Sequence, residues 1–393
     1  MTVNVLMLGT VSLVTDISSE MVTAILPLYL VLSLGLTPLQ FGVLDGMYFG
    51  VTALVRLLGG HLADRWQRRK LIAGFGYGLS AICKLGLLVV GPSPLALGAV
   101  LAADRTGKGL RTAPRDALIT LSTDPKNLGM AFGVHRAMDT AGALAGPLVA
   151  FAVLWAAPGA YDAVFVVSCC IAMLGVLLLV AFVRDQQTRI RSSVVSIRAA
   201  LRLLADRRFG RMCAATALLG LVTISDSFVY LLLQRRLGIA AGYFPLLPLG
   251  TAASFLVLAL PLGRLSDRVG PRAVFLGGHI ALLGAYVLLR GPFGGLPMLI
   301  CVLTLHGAFY AATDGVLMAA AGPLLPDELR TSGVAVLQTG QAVARLMSSV
   351  LIGALWTVWG VSAAVTASAV ALGLMLLVAV PLLRSPLRRA HVD

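Results

Sequence analysis

Charged residues stand inside the apolar stretches of this chain at spacings that share helix faces. Asp16 and Glu20 are four residues apart, as are Asp104 and Lys108, and His306, Tyr310 and Asp314 form a row at i, i+4 and i+8. Residues so spaced lie on one side of a helix. Arg105, Asp139, Asp226, Gln338, Gln341 and Arg345 add further polar groups to apolar runs. A charge at a bilayer centre costs ~3 kcal/mol or more, so each must be paired or must face water. Carboxylates in that setting suit proton transfer: desolvation strengthens their hold on a proton, a nearby cation weakens it, and a neighbour that moves converts the difference into uptake and release. Asp16, Glu20, Asp226 and Asp314 have no obvious partner in their own helix. Asp104 with Lys108, Asp45 with Arg56, and His135 or Arg136 with Asp139 read as permanent pairs. Catalytic chemistry is not indicated, because the chain has no GxSxG, HExxH or Walker sequence and "RTGKG" (105 to 109) lacks phosphate-loop spacing. The five cysteines and five histidines are dispersed, so neither a metal site nor a cofactor is expected.

The elements that would position these groups follow from composition. The 393 residues are 58% hydrophobic and 12% charged, with a mean hydropathy of +0.92, which is the usage of an integral membrane protein. The apolar runs are about twenty residues long and lack strand alternation, so they read as membrane-crossing helices. The expected fold is an all-α membrane protein of twelve transmembrane helices in two pseudo-symmetric six-helix bundles. The spans are 5 to 33, 40 to 62, 71 to 91, 95 to 118, 129 to 155, 161 to 183, 212 to 236, 243 to 263, 273 to 291, 296 to 322, 332 to 357 and 361 to 383. The first run lacks a basic lead and a cleavage site and is kept as a span. Residues 1 to 183 form the N-terminal bundle, 184 to 211 a cytoplasmic, basic, amphipathic linker lying on the anionic leaflet, and 212 to 393 the C-terminal bundle. Most of the 31 Lys and Arg fall in loops on one side, which places both termini in the cytoplasm and the protein in the inner membrane. The net charge of +14 is therefore topological and does not point to nucleic acid. The expected partners are the bilayer and a small-molecule substrate, with the protein a monomer.

A polar hinge occurs twice. "GHLADRWQRRK" (60 to 70) follows the second span and "GRLSDRVGPR" (263 to 272) the eighth, so that Gly60, Asp64 and Arg65 correspond to Gly263, Asp267 and Arg268 at one constant spacing. Arg69 and Arg272 close the two copies. Duplication of a six-helix unit suits two bundles rocking about a shared site. The hinge resembles the loop signature G-x-L-a-D-r-x-G-r-k of the major facilitator superfamily, with Gln67 in place of the usual glycine in the first copy and Gly270 keeping it in the second. "RTGKG" resembles that family's R-x-x-Q-G motif, with Lys108 in the glutamine position. "GALAGP", Gly142 to Pro147 with Gly146 between, resembles its antiporter motif g-x-x-x-G-P-x-x-G-G, although Ala150 and Phe151 replace the last pair. As a bare pattern it is equally well small-residue helix packing.

The resemblance is nearest to the twelve-helix drug:proton antiporter-like branch. It implies an alternating-access transporter with no enzymatic step, coupled to protons, exporting a small organic molecule, a siderophore-like compound or a metal complex. It also implies that Asp64 and Asp267 are latch residues, and that Arg105 is tied to proton coupling. A proton symporter or facilitator that imports a polar solute would use the same fold and charges. A membrane-embedded enzyme or a sensor without flux are the readings from other classes.

Overall fold

The computed structural model describes residues 2–66, 68–185, 202–326 and 329–383, without the side chains of 49, 53–54, 56–66 and 330–332. Among them no strand occurs, and the chain is an all-α membrane protein. Helix α1 (Val3–Leu28) ends in a π-helical turn, Tyr29–Ser33, and is followed by α2 (Pro38–Trp66), α3 (Arg69–Val89), α4 (Pro94–Leu121), α5 (Leu128–Ala156) and α6 (Tyr161–Phe182). After the linker come α7 (Arg207–Leu221), α8 (Asp226–Leu237), α9 (Leu246–Val269), α10 (Pro271–Arg290), α11 (Gly295–Ala321) and α12 (Arg330–Leu383). Nine described segments are long and apolar enough to cross a membrane; α2 and α4 fall outside that set, and α4 carries six charged residues between Asp104 and Asp116. Within α12 the expected eleventh and twelfth spans remain two helices that meet at a kink at Gly360, whose φ of +78° is a conformation glycine adopts without strain.

The expected seventh span, 212 to 236, is not continuous. Helix α7 stops at Leu221, and α8 restarts at Asp226 behind Ser225, which has extended backbone angles. The intervening Val222, Thr223 and Ile224 are β-branched or stiff residues with reduced helix preference. Neighbouring side chains satisfy the freed backbone: the Ile224 N–H donates to the Tyr286 hydroxyl at 2.6 Å, and the Ser348 hydroxyl donates to the Thr223 carbonyl at 2.6 Å. Such substitution is what permits a helix to break at membrane depth.

The chain forms two compact units. The first comprises Met1–Ser193, Ser225–Gly250 and Ser349–Val358, and the second comprises Val194–Ile224, Thr251–Ser348 and Trp359–Asp393. The first unit therefore includes α8 and a short part of α12 along with α1 to α6, a division that differs from one made at the linker. The reason is close packing at the start of α2. The Leu39 N–H donates to Thr357 Oγ1 at 3.0 Å, Phe41 meets Phe228 edge-on at 4.9 Å, and a Cβ on Gly42 or Gly353 would strike the carbonyl of Ser349 or Pro38. Ser349 also donates to the buried Asp45 carboxylate at 2.8 Å, so Asp45 has a partner other than Arg56, whose side chain is outside the described set.

Glycines set two approaches that matter for the charged groups. On α3 and α4, a Cβ at Gly76 would stand 2.6 Å from the Gly107 carbonyl oxygen. On α5, a Cβ at Gly142 would collide with the Leu13 carbonyl, and one at Gly146 would lie 2.7 Å from both the Ile17 carbonyl oxygen and Glu20 Cβ. Pro147 continues α5 as a buried residue. The G-x-x-x-G-P pattern thus presses α5 backbone to backbone against α1. Gly142→Leu is expected to force the two helices apart and lower the thermal midpoint, at ~1–3 kcal/mol or more for overpacking. Gly263→Ala, where nothing lies within 4 Å of an added Cβ, is expected to leave the midpoint unchanged or slightly raised. Fluorescence-detected unfolding of the two variants checks this contrast, and equal losses would contradict it.

Candidate functional site

Helix α4 carries Arg105, Lys108, Arg111 and Arg115 at spacings of three and four, a stripe of cations along one face. The first unit brings acids from three helices onto that stripe. Lys108 Nζ lies 3.7 Å from Glu20 Oε1, and Arg111 Nη2 lies 3.4 Å from Asp16 Oδ1. Arg115 Nη1 is 3.7 Å from Asp139 Oδ1 on α5 and donates to Ser12 Oγ on α1 at 3.1 Å, while its Nη2 bonds Asp116 at 3.0 Å. Ser12 Oγ lies 3.0 Å from His135 Nε2, and Arg136 lies 3.6 Å from Asp139. Two guanidiniums also sit over aromatic rings: Arg105 is 3.8 Å from the centroid of Tyr48, and Arg111 is 4.3 Å from that of Tyr77.

The expected pairing of Asp104 with Lys108 is corrected. Asp104 binds Arg105, whose Nε donates at 2.9 Å and whose terminal nitrogen makes a second contact, and it also accepts from Ser80. Lys84 of α3 stands 3.8 Å away. The Gly76–Gly107 approach explains the choice, because it carries Ser80 and Lys84 against Asp104 while Lys108, a turn further on, reaches α1. Asp139 takes Arg115 and Arg136, and His135 takes Ser12 instead of Asp139.

Hydration differs sharply along the stripe. The side chains of Lys84, Asp104 and Arg105 are 4%, 12% and 5% exposed, whereas those of Glu20 and Lys108 are 27% and 30% exposed. A dry pair with hydrogen bonds on both members is a fixed structural element. A longer, partly wet pair is held weakly enough to open. The arrangement thus separates one group that anchors α3 to α4 from another, Glu20 with Lys108, whose side chains are partly exposed.

The second unit holds a separate polar cluster. The His306 and Tyr310 rings lie 5.4 Å apart on α11, and the Arg345 guanidinium on α12 lies 5.7 Å from the Tyr310 centroid. His306 is buried, Tyr310 and Arg345 are half-buried, and Asp314 and Gln338 are exposed. Asp314, Gln341 and Arg345 line one pocket with Thr216, Thr223 and His279, and Gln338 contacts Met318 Sδ at 4.0 Å. His279 escaped sequence reasoning. It is buried with Nδ1 on the Phe275 carbonyl at 2.9 Å and its ring between Phe275 and Phe309 at 4.6 and 5.1 Å. Asp226 is the first residue of α8, where the positive helix end favours a carboxylate, so it does not sit mid-helix as expected.

The hinge residues divide by copy. Gly60, Asp64 and Arg65 lie on the last turns of α2, with side chains outside the described set, and Arg69 is a buried residue at the start of α3. In the second copy Gly263, Asp267 and Arg268 lie on α9, Gly270 makes the turn at φ +91°, and Arg272 is half-buried at the start of α10. Asp267 is exposed and has no ion-pair partner among the described residues. All five cysteines are free, and among the described residues no group of three His, Cys, Asp or Glu could hold a metal.

Helices long enough to cross a bilayer, carrying charges paired across helix boundaries and a crossing interrupted at depth, define a multi-pass membrane transport protein. The Major Facilitator Superfamily profile matches residues 8–257 and 212–392, and the chain belongs to that superfamily. It is a secondary transporter and not an enzyme. An uncharacterised MFS-type transporter of Methanocaldococcus jannaschii is 29% identical over 364 residues, covering 90% of this chain and 89% of the relative. An uncharacterised protein of Mycobacterium bovis is 33% identical over 153 residues, 39% of this chain and 37% of that one. Among solved structures, the nucleoside transporter NupG superposes with a TM-score of 0.83 at 13% identity, covering 98% of this chain and 100% of that one. The peptide transporter POT in complex with sulfate gives 0.78 at 15% identity, covering 97% and 93%. At these identities the likeness to solved structures speaks to fold alone.

Proposed function

We propose that the protein is a proton-coupled antiporter that exports a small organic molecule bearing a cationic group, by alternating access, from an inner membrane in which both termini face the cytoplasm. The observation that carries this reading is the partly exposed Glu20–Lys108 pair, beside Asp16 and Arg111 on the same helix faces. A carboxylate that water can reach and that one cation holds at 3.7 Å offers a proton and a substrate cation the same oxygens. Occupancy by one excludes the other, which is the requirement for exchange. The partial antiporter motif on α5 supports the same direction by lying directly against Glu20. Asp139 and Asp226, of the same unit, are secondary contacts in this proposal, and the protein works as a monomer without a cofactor.

The same pair favours one other reading. Protonation of Glu20 would free Lys108 for an anionic solute, so proton and substrate would bind together and travel in one direction. The two readings differ in sign. Under exchange, substrate affinity falls as pH is lowered; under co-transport it rises. A thermal-shift screen of the purified protein against metabolites, drugs and metal complexes at two pH values identifies a ligand and gives that sign. Flux of the ligand in proteoliposomes that ignores an imposed pH gradient would reject both.

A further inference from the structure

The second unit contains a basic pocket that the transport site does not account for and that shares one residue, Arg272, with the second hinge copy. Arg208 and Arg211 stand on the first turn and a half of α7, and Arg272 stands on the first turn of α10. All three line one shallow, partly open pocket whose floor includes Met212, Phe275 and Leu383. Those three apolar residues are buried, whereas Arg208 and Arg211 are exposed and Arg272 is half-buried. None of the described lining residues is acidic. The nearby carboxylate of Asp206 is committed to capping α7, accepting from the backbone N–H groups of Arg208 and Phe209 at 3.0 and 2.8 Å. Arg211 additionally donates to the Pro381 carbonyl, which ties the start of α7 to the end of α12.

Two helix N-termini border this pocket, and the N-cap of α10 is Gly270, which has no side chain to cap with. Aligned peptide dipoles make such ends favourable for an anion, and three guanidiniums add bidentate donors of the kind that fit phosphate oxygens. The position selects among anions. The pocket lies at the end of membrane-crossing helices that the charge pattern assigns to the cytoplasm, with donors at the rim and hydrocarbon at the floor. A free phosphate has no use for that floor; a lipid has. Basic pockets between helices on this side are suited to acidic headgroups. We propose that Arg208, Arg211 and Arg272 bind the phosphate of an anionic phospholipid, whose headgroup joins the starts of α7 and α10 to the end of α12.

The test uses the full-length protein in a neutral detergent, with phosphatidylglycerol, phosphatidylcholine and inorganic phosphate as probes. Native mass spectrometry counts bound lipid and thermal unfolding reads its effect. Phosphatidylglycerol is expected to bind and to raise the midpoint, with little response to phosphatidylcholine or to inorganic phosphate. Arg208→Gln combined with Arg211→Gln and Arg272→Gln is expected to weaken phosphatidylglycerol binding by about tenfold or more. Arg207→Gln, an exposed neighbour that does not line the pocket, is expected to leave it unchanged. If the triple variant does not fold, Arg208→Gln alone carries the comparison, since its side chain is exposed. Equal lipid affinity in wild type and pocket variants, an equal loss with Arg207→Gln, or an equal shift with inorganic phosphate would each overturn the assignment.

Discussion

Asp104→Ala is expected to cost more folded protein than any other single change in the charged network. It leaves Lys84 and Arg105 buried, with side chains 4% and 5% exposed and no counter-charge beside them. Removing one member of a buried pair costs ~3–5 kcal/mol, because the remaining charge is stranded. At this chain size that corresponds to a fall in thermal midpoint of roughly 4–6 °C. Lys84→Met should behave differently. It removes the cation that stands 3.8 Å away and leaves the two-contact Asp104–Arg105 pair electrically balanced, so the stability is expected to stay within about 1 kcal/mol of wild type. The contrast is informative because both substitutions delete one charge of the same triad. An Asp104→Ala protein that melts with wild type, or a Lys84→Met protein that loses as much, would show that the triad is not the fixed element described above.

What the sequence revealed and what it concealed divide along physical lines. Helix positions were legible because apolar length is a local property: the ends of α3, α4, α5 and α6 fall within three residues of the expected spans. The break at Gly360 falls in the gap between the expected eleventh and twelfth spans, and Gly270 was legible as the turn glycine of the second hinge copy. Ion-pair partners were not. Asp104 and Lys108 share a helix face at i, i+4, yet Asp104 pairs with its neighbour Arg105 and with Ser80 and Lys84 of α3, brought near by Gly76 meeting Gly107, while Lys108 reaches Glu20 of α1. A signal for the cation stripe was present, since Arg105, Lys108, Arg111 and Arg115 repeat at helical spacing inside a span. Only the first two drew attention as cavity residues, because Arg111 and Arg115 lie near the expected end of that span. The interruption at residues 222–225 left no mark at all in hydropathy, because Val222 and Ile224 are as apolar as the helices they separate. Its causes are Tyr286 and Ser348, more than sixty residues distant, whose bonds to the backbone have no local trace.

Glu20→Gln is expected to abolish the response of transport to a pH gradient while leaving the fold intact. The pair it breaks is 3.7 Å long and has both side chains more than a quarter exposed, so its contribution to stability is ~0–1 kcal/mol at most. The neutral amide keeps the shape of the protonated acid but cannot exchange its proton. Coupling between two ligands amounts to a factor of about 5–150 in affinity, and this effect of the proton on substrate binding is what the variant should lose. Its substrate affinity should also become independent of pH across the range where wild type varies. Lys108→Gln separates the two directions of coupling. Under exchange, proton and substrate still compete for Glu20, so binding keeps its dependence on pH. Under co-transport, the anionic solute loses its contact and binds weakly at every pH. Flux and binding measured on both variants in proteoliposomes therefore locate the coupling at this pair, or exclude it: a Glu20→Gln protein that still responds fully to the gradient would move the proton to Asp16 or Asp139, the remaining carboxylates of the α4 stripe.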